Sequence, residues 1–187
     1  MIMWQDISRF GAKLVALGLT HSHYGNISIR LANRVLITRT GAMLDEIDER
    51  SVIEVDLHEV RSQDALASSE TIVHRAIYRN TEALAIVHTH SPHAVALSLV
   101  ADLFLEPVDS VGLHLLGRIP VVEGEIGSEE LAEGASAALK LHKACIARGH
   151  GVFATGKTLK DAYFAACTLE HSAQILYLVG MWERRSV

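Results

Sequence analysis

Apolar residues recur along this chain with two periods, and each change of period marks a new element. Trp4, Ile7, Phe10, Leu14, Val15 and Leu17 fall at helical spacing, and Gly18 suits the stop. Ile27-Ser28-Ile29-Arg30 and Val35-Leu36-Ile37-Thr38 flank Ala32-Asn33, which predicts a β-hairpin, and Val52 to Leu57 alternates as a further strand. Ser68 or Ser69 can cap a helix to about Asn80, with Ile72, Ala76 and Ile77 inward and Glu70 in its first turn. Ala83 to His90 reads as a strand, Pro92 starts a helix through about Val100, and Ile119 to Glu123 is strand-like. Ser128 caps a helix to about Leu141, with Glu129 and Glu130 suited to its positive end. Lys143 to Ala147 predicts a short strand. Thr158 then opens a last helix with Leu159, Ala162, Tyr163, Ala166, Leu169, Ala173, Leu176 and Tyr177 inward, ending near Gly180. Strands and helices mix without regular βαβ alternation. The expected class is α/β, with helices on both faces of a mixed or antiparallel sheet.

Composition narrows the class of molecule. No repeat, linker or low-complexity stretch divides the 187 residues, so one domain over 1–187 is expected. A chain that is 49% hydrophobic with three prolines is neither disordered nor collagen-like. A net charge of −5 with scattered Lys and Arg leaves no footprint for nucleic acid. The longest apolar window, Ala83 to Ala101, is broken by His88, His90, Pro92 and His93 and is not a bilayer span. Two cysteines and a start unlike a signal peptide point to a reducing, cytoplasmic setting. The 11 histidines stand out more than the cysteines do.

Two of those histidines carry the chemistry. His88-Thr89-His90 ends the apolar run Ala83 to Val87, and side chains at i and i+2 of a strand share a side, so both imidazoles can converge on one metal ion. His150, between Gly149 and Gly151, and the carboxylate of Glu70 complete a three-nitrogen, one-oxygen set that suits a zinc-like ion with a place left for substrate. The bland alternative makes His88 and His90 half-buried sheet residues bonded to backbone carbonyls. His93 is a neighbour of the set rather than a ligand, and the remaining histidines default to solvated or satisfied positions. Three polar turns can hold an anion: Tyr24-Gly25-Asn26-Ile27-Ser28, Thr38-Arg39-Thr40-Gly41 and Ser68-Ser69. No nucleotide-binding glycine motif, Schiff-base lysine or Gly-x-Ser-x-Gly is present.

Gly25-Asn26-Ile27-Ser28, Thr38-Arg39-Thr40-Gly41, Ser68-Ser69-Glu70, His88-Thr89-His90 and Gly149-His150-Gly151, in that order, resemble the class II aldolase/adducin family, most closely its fuculose-phosphate aldolase branch. The resemblance runs from about residue 4 to 180. It implies a three-layer α/β/α fold with a mixed, largely antiparallel sheet, in a homotetramer with active sites at subunit interfaces. It implies zinc on His88, His90 and His150, with Glu70 a ligand at rest and the general acid/base in turnover. Gly25, Asn26, Thr40, Gly41, Ser68 and Ser69 would hold the phosphate of a ketose 1-phosphate, cleaved to dihydroxyacetone phosphate and a small aldehyde such as lactaldehyde. The resemblance also implies tyrosines that handle the aldehyde, one on a C-terminal tail. Here the sequence stops at Val187 and has Pro107 to His114 where an interface tyrosine is expected, leaving Asp109 or His114 as candidate proton donors. Ribulose-phosphate 4-epimerase, methylthioribulose-1-phosphate dehydratase and a non-catalytic adducin-head-like module are the rival readings.

Overall fold

The structure, a computed structural model, describes residues 3–183. Helix α1 (Met3–Ala16) leads into strands β1 (Asn26–Leu31) and β2 (Arg34–Thr38), then β3 (Val52–Asp56), α2 (Thr71–Asn80) and β4 (Ala85–Thr89). Next come α3 (Pro92–Ser98), β5 (Phe104–Leu105), α4 (Ser110–Leu115), β6 (Ile119–Val122) and α5 (Glu129–Ala138). Strands β7 (Ala144–Ala147) and β8 (Gly151–Gly156) precede α6 (Leu159–Glu183). The eight strands form one sheet in the order β3-β2-β1-β4-β8-β7-β6-β5. Only the β6–β7 pair is parallel, so the mixed, mostly antiparallel sheet is as expected.

Strand alternation builds two cores. Ile27, Ala85, Val87, Val152 and Ala154 face one side, where α1, α3 and α6 bring Ile7, Phe10, Leu14, Ala94, Ala162 and Leu169. Val35, Ile37, Val55, Ile86, Cys145 and Phe153 face the other, where α2 and α5 bring Val73, Ile77, Leu131 and Ala135. The result is three layers with helices on both faces. No helix among the described residues is long and apolar enough to cross a membrane.

Most elements lie where the pattern predicts them, and the departures have physical causes. In α2, Ile72 is exposed while His74, Arg75 and Tyr78 are buried, because polar partners take up their groups. Arg75 pairs with Asp64 at 2.7 Å and donates to the carbonyls of Asp56 and Glu59. Glu70 stands at the cap position of α2 rather than in its first turn. The last helix runs three residues past Gly180, and Tyr177 is turned partly outward. Strand β8 was not foreseen. It pairs with both β4 and β7, and these contacts make an extended segment of the residues after His150.

Candidate metal centre

The register of β1, β4 and β8 fixes the centre. Asn26 lies opposite His88, and His88 lies opposite Phe153, so all three project towards the α2 layer. The Phe153 ring stacks on His88 with centroids 4.2 Å apart. His88 Nδ1 is 2.9 Å from the Val152 carbonyl, which only accepts, so that nitrogen carries a proton and Nε2 is the atom turned to the cluster, with a lone pair for a metal whenever the ring is neutral. His88 therefore meets both sequence expectations, with one nitrogen on a backbone carbonyl and the other in the cluster.

His88 Nε2 lies 2.9 Å from Glu70 Oε2 and 3.2 Å from His90 Nε2, while His150 Nε2 is 3.7 Å from Glu70 Oε1. The candidate ligand atoms of the three histidines all fall within 4.8 Å of one another. Donor atoms on a tetrahedral zinc, with bonds near 2.0–2.1 Å, stand about 3.3 Å apart. Lone pairs and a carboxylate facing one another at these spacings need a cation or a shared proton between them. Glu70 Oε1, His150 Nδ1 and Asn26 Oδ1 are buried without a hydrogen-bond partner among the described residues, the condition of a donor set short of its central charge. The residues present fit a divalent metal.

Electrostatics keep the set in ligand form. Burial lowers both His90 and His150 to about 4, and the charge of His88 acts the same way, so both imidazoles are neutral at pH 7. Burial alone would raise the Glu70 carboxyl. The charge and hydrogen bond of His88, with His150 and the Asn26 amide behind them, hold it instead at about 2. Asn26 Nδ2 donates to Glu70 Oε2 at 3.0 Å.

The glycines around the cluster are tied to its geometry. Gly25 has φ +82°, and a Cβ there would meet the His88 carbonyl at 2.4 Å. A Cβ on Gly151 would meet the Thr89 carbonyl at 2.4 Å and His88 Cε1 at 2.9 Å.

A family model for the class II aldolase and adducin N-terminal domain matches residues 5–177. The chain belongs to the class II aldolase/adducin family. A curated L-fuculose phosphate aldolase from Methanococcus maripaludis is 35% identical over 158 residues, 83% of this chain and 86% of the relative. A 3-oxo-tetronate 4-phosphate decarboxylase from Pectobacterium atrosepticum is 30% identical over 182 residues, 94% of this chain and 84% of the relative. The solved structure of L-fuculose-1-phosphate aldolase from Thermus thermophilus superposes with a TM-score of 0.91 at 37% identity, covering 97% of this chain and 95% of that one.

The three polar turns expected of such a family member do come together. Ile27 N donates to Thr38 Oγ1 at 3.2 Å, the Thr38 carbonyl accepts from Ser68 N at 3.1 Å, Thr40 N donates to the Leu66 carbonyl at 3.1 Å, and Arg39 bridges to Ala67. Several expected donors are thereby committed. The N–H groups of Thr40 and Ser68 serve the backbone, and the Asn26 amide serves Glu70. Among the described residues the N–H groups of Gly41 and Ser69 have no partner, and both residues are exposed.

Asp109 caps α4, accepting from Gly112 N at 2.8 Å, and His114 is exposed; neither has a contact with the cluster. His93 pairs with Glu170 at 2.7 Å and lies outside the group formed by His88, His90 and His150. Sequence reading missed what Tyr24 and His74 do. The half-exposed Tyr24 ring stacks on His90 with centroids 5.2 Å apart, a contact foreshadowed only by its place beside Gly25. His74, one turn after Glu70, lies fully buried with Nδ1 2.6 Å from Ser28 Oγ, which is 2.7 Å from the Tyr78 hydroxyl. Its (i, i+4) spacing from Glu70 was the available signal.

Proposed function

We propose that the chain is a zinc-dependent aldolase that cleaves a ketose 1-phosphate, of the fuculose 1-phosphate kind, to dihydroxyacetone phosphate and a small aldehyde. The observation that carries this reading is Glu70, a buried carboxylate aimed at the imidazoles of His88 and His150 instead of at the helix start it occupies. His88, His90 and His150 would hold the metal, with Glu70 as an exchangeable fourth ligand. Bound there, the metal supplies Lewis-acid stabilisation of charge developing on substrate oxygens, worth several kcal/mol.

The protein's own groups do the rest. When the carbon–carbon bond breaks, its electron pair stays on the carbon that becomes part of dihydroxyacetone phosphate; Glu70, ionised at rest, takes the proton that the hydroxyl on the departing carbon loses as it becomes the aldehyde carbonyl, and gives it to the carbon that keeps the electron pair. Asn26, donating to Oε2, keeps the carboxylate oriented while it changes partners. The N–H groups of Gly41 and Ser69, with the hydroxyls of Thr40, Ser68 and Ser69, hold the phosphate, and Gly25 leaves room beside the His88 carbonyl. Binding at this non-reacting end positions the reacting one. The reading includes a homotetramer, for which exposed Val100, Val111 and Leu178 offer apolar surface.

A second reading is favoured by the decarboxylase relative, which matches 94% of the chain. Loss of carbon dioxide from a 3-oxo acid phosphate also leaves charge next to a carbonyl, and the same Glu70 would protonate it. A coupled assay for dihydroxyacetone phosphate from fuculose 1-phosphate and ribulose 1-phosphate, with and without chelator, tests the first reading. Activity that survives complete metal removal refutes the mechanism. Carbon dioxide from a 3-oxo-tetronate 4-phosphate, with no triose phosphate from either ketose, selects the second.

A further inference from the structure

We propose that Glu170, on α6, is a positioning residue for His90: it holds the turn on which that imidazole is mounted. The proposal rests on the metal-centre reading above. His90 follows the last residue of β4, and only Ser91 separates it from Pro92, the first residue of α3. Its direction is therefore set by how α3 begins.

The helix does not cap itself. Ser91 stands at the cap position but makes no side-chain cap bond, because its hydroxyl lies 2.8 Å from Thr89 Oγ1 and donates to the Leu19 carbonyl at 3.2 Å. Pro92 has no N–H to offer. The first free amides are those of His93 and Ala94, and Glu170 takes both, at 3.1 Å to Oε1 and 3.0 Å to Oε2. The His93 ring adds a third bond, Nδ1 to Oε1 at 2.7 Å.

One carboxylate from 76–77 residues away thus satisfies the amides that an N-cap serine ordinarily would. Bonds to an ionised acceptor at a helix start are among the stronger ones. The backbone of His90 has little else, since its own N–H reaches only Thr20 Oγ1 at 3.5 Å. Without Glu170, two amides lose their partner under α6 and the turn is free to shift. His90 Nε2 then leaves its place 3.2 Å from His88 Nε2.

The test is zinc affinity, measured by competition with a fluorescent chelator, together with melting temperature in excess chelator. Glu170→Ala should weaken zinc binding about tenfold, in the range seen when groups that orient a ligand are removed. Glu170→Gln, which keeps an oxygen for one amide, should lose less and carries the comparison if the alanine variant does not fold. Asp161→Ala removes the carboxylate that accepts from Thr158 at the start of α6 and should lower the melting temperature without changing zinc affinity. Wild-type zinc affinity in both Glu170 variants, with only the melting temperature reduced, overturns the proposal by making Glu170 a helix staple. A wild-type protein that binds no stoichiometric zinc overturns the metal-centre reading and this proposal with it.

Discussion

Acid should destabilise this protein through His74 before its carboxylates are protonated. The imidazole is fully buried, Nδ1 is bonded to Ser28 and Nε2 has no partner among the described residues. Burial drives its pKa from 6.5 down to about 3, against the attraction of Glu70 and with the repulsion of His88. In the unfolded chain the same ring takes a proton near 6.5. Between those values the unfolded state binds the extra proton, so stability is intact above pH 6.5 and is lost as pH falls towards 3. The slope approaches about 1.4 kcal/mol per pH unit, and the accumulated loss is on the order of 3 kcal/mol at pH 4. That is a large part of the roughly 5–15 kcal/mol that holds an ordinary domain together. Urea denaturation at pH 7, 6, 5 and 4 in excess chelator, on wild type and His74→Gln, reads this directly. The variant should start lower at pH 7, having lost its fit to Ser28, but should decline less steeply by about one proton. His90, His150 and Glu70 are all shifted downward and act with the same sign, so the variant keeps a residual slope. Parallel curves for the two proteins would refute the argument.

Two further perturbations bear on the centre itself. Glu70→Gln should lower kcat in the dihydroxyacetone phosphate assay by about 10²–10⁴, the usual worth of a positioned acid/base, with a smaller change in KM because the turns proposed to hold the phosphate are untouched. Wild-type turnover in that variant removes Glu70 from its role. Gly151→Ala puts a methyl 2.4 Å from the Thr89 carbonyl, a main-chain contact that only a shift between β4 and β8 can relieve. It should cost about 1–3 kcal/mol in chemical denaturation and weaken zinc binding, because His88 rides on the displaced strand. An unchanged denaturation midpoint would show that the strand pair yields freely there.

The parts of the centre that the sequence made legible are those set by short-range geometry. His88 and His90 share a face because strand residues two apart must, and Gly151 beside His150 makes the close approach that a residue without a Cβ permits. The illegible parts depend on partners far away in the chain. Asn26 reads as a phosphate ligand, and nothing local says that its amide also donates to a carboxylate 44 residues on. In α2, hydrophobicity placed Ile72 inside, yet the buried positions went to His74, Arg75 and Tyr78, whose polar groups find partners on β1 and around Asp56, Glu59 and Asp64. The two-residue β5 and six-residue α4 are fixed by tertiary contact and carry too little pattern to be seen.

Both helix starts beside the cluster break the capping rule, and they break it in complementary ways. At α2 the serines were the expected cap. The cap position is instead Glu70, whose side chain leaves the helix end and turns into the centre, while Ser68 Oγ accepts the Glu70 amide at 3.3 Å. At α3 the local serine is in the cap position but is spent on β4 and the start of the α1–β1 connection, and a carboxylate from α6 replaces it. A self-contained cap would stabilise each helix by about 1 kcal/mol with local atoms alone. Rerouting the caps ties each helix to a ligand instead: α2 to the carboxylate it delivers, α3 through its turn to His90. Local sequence rules fail where function displaces them. Here the failures fall on the two turns that deliver Glu70 and His90 to the cluster.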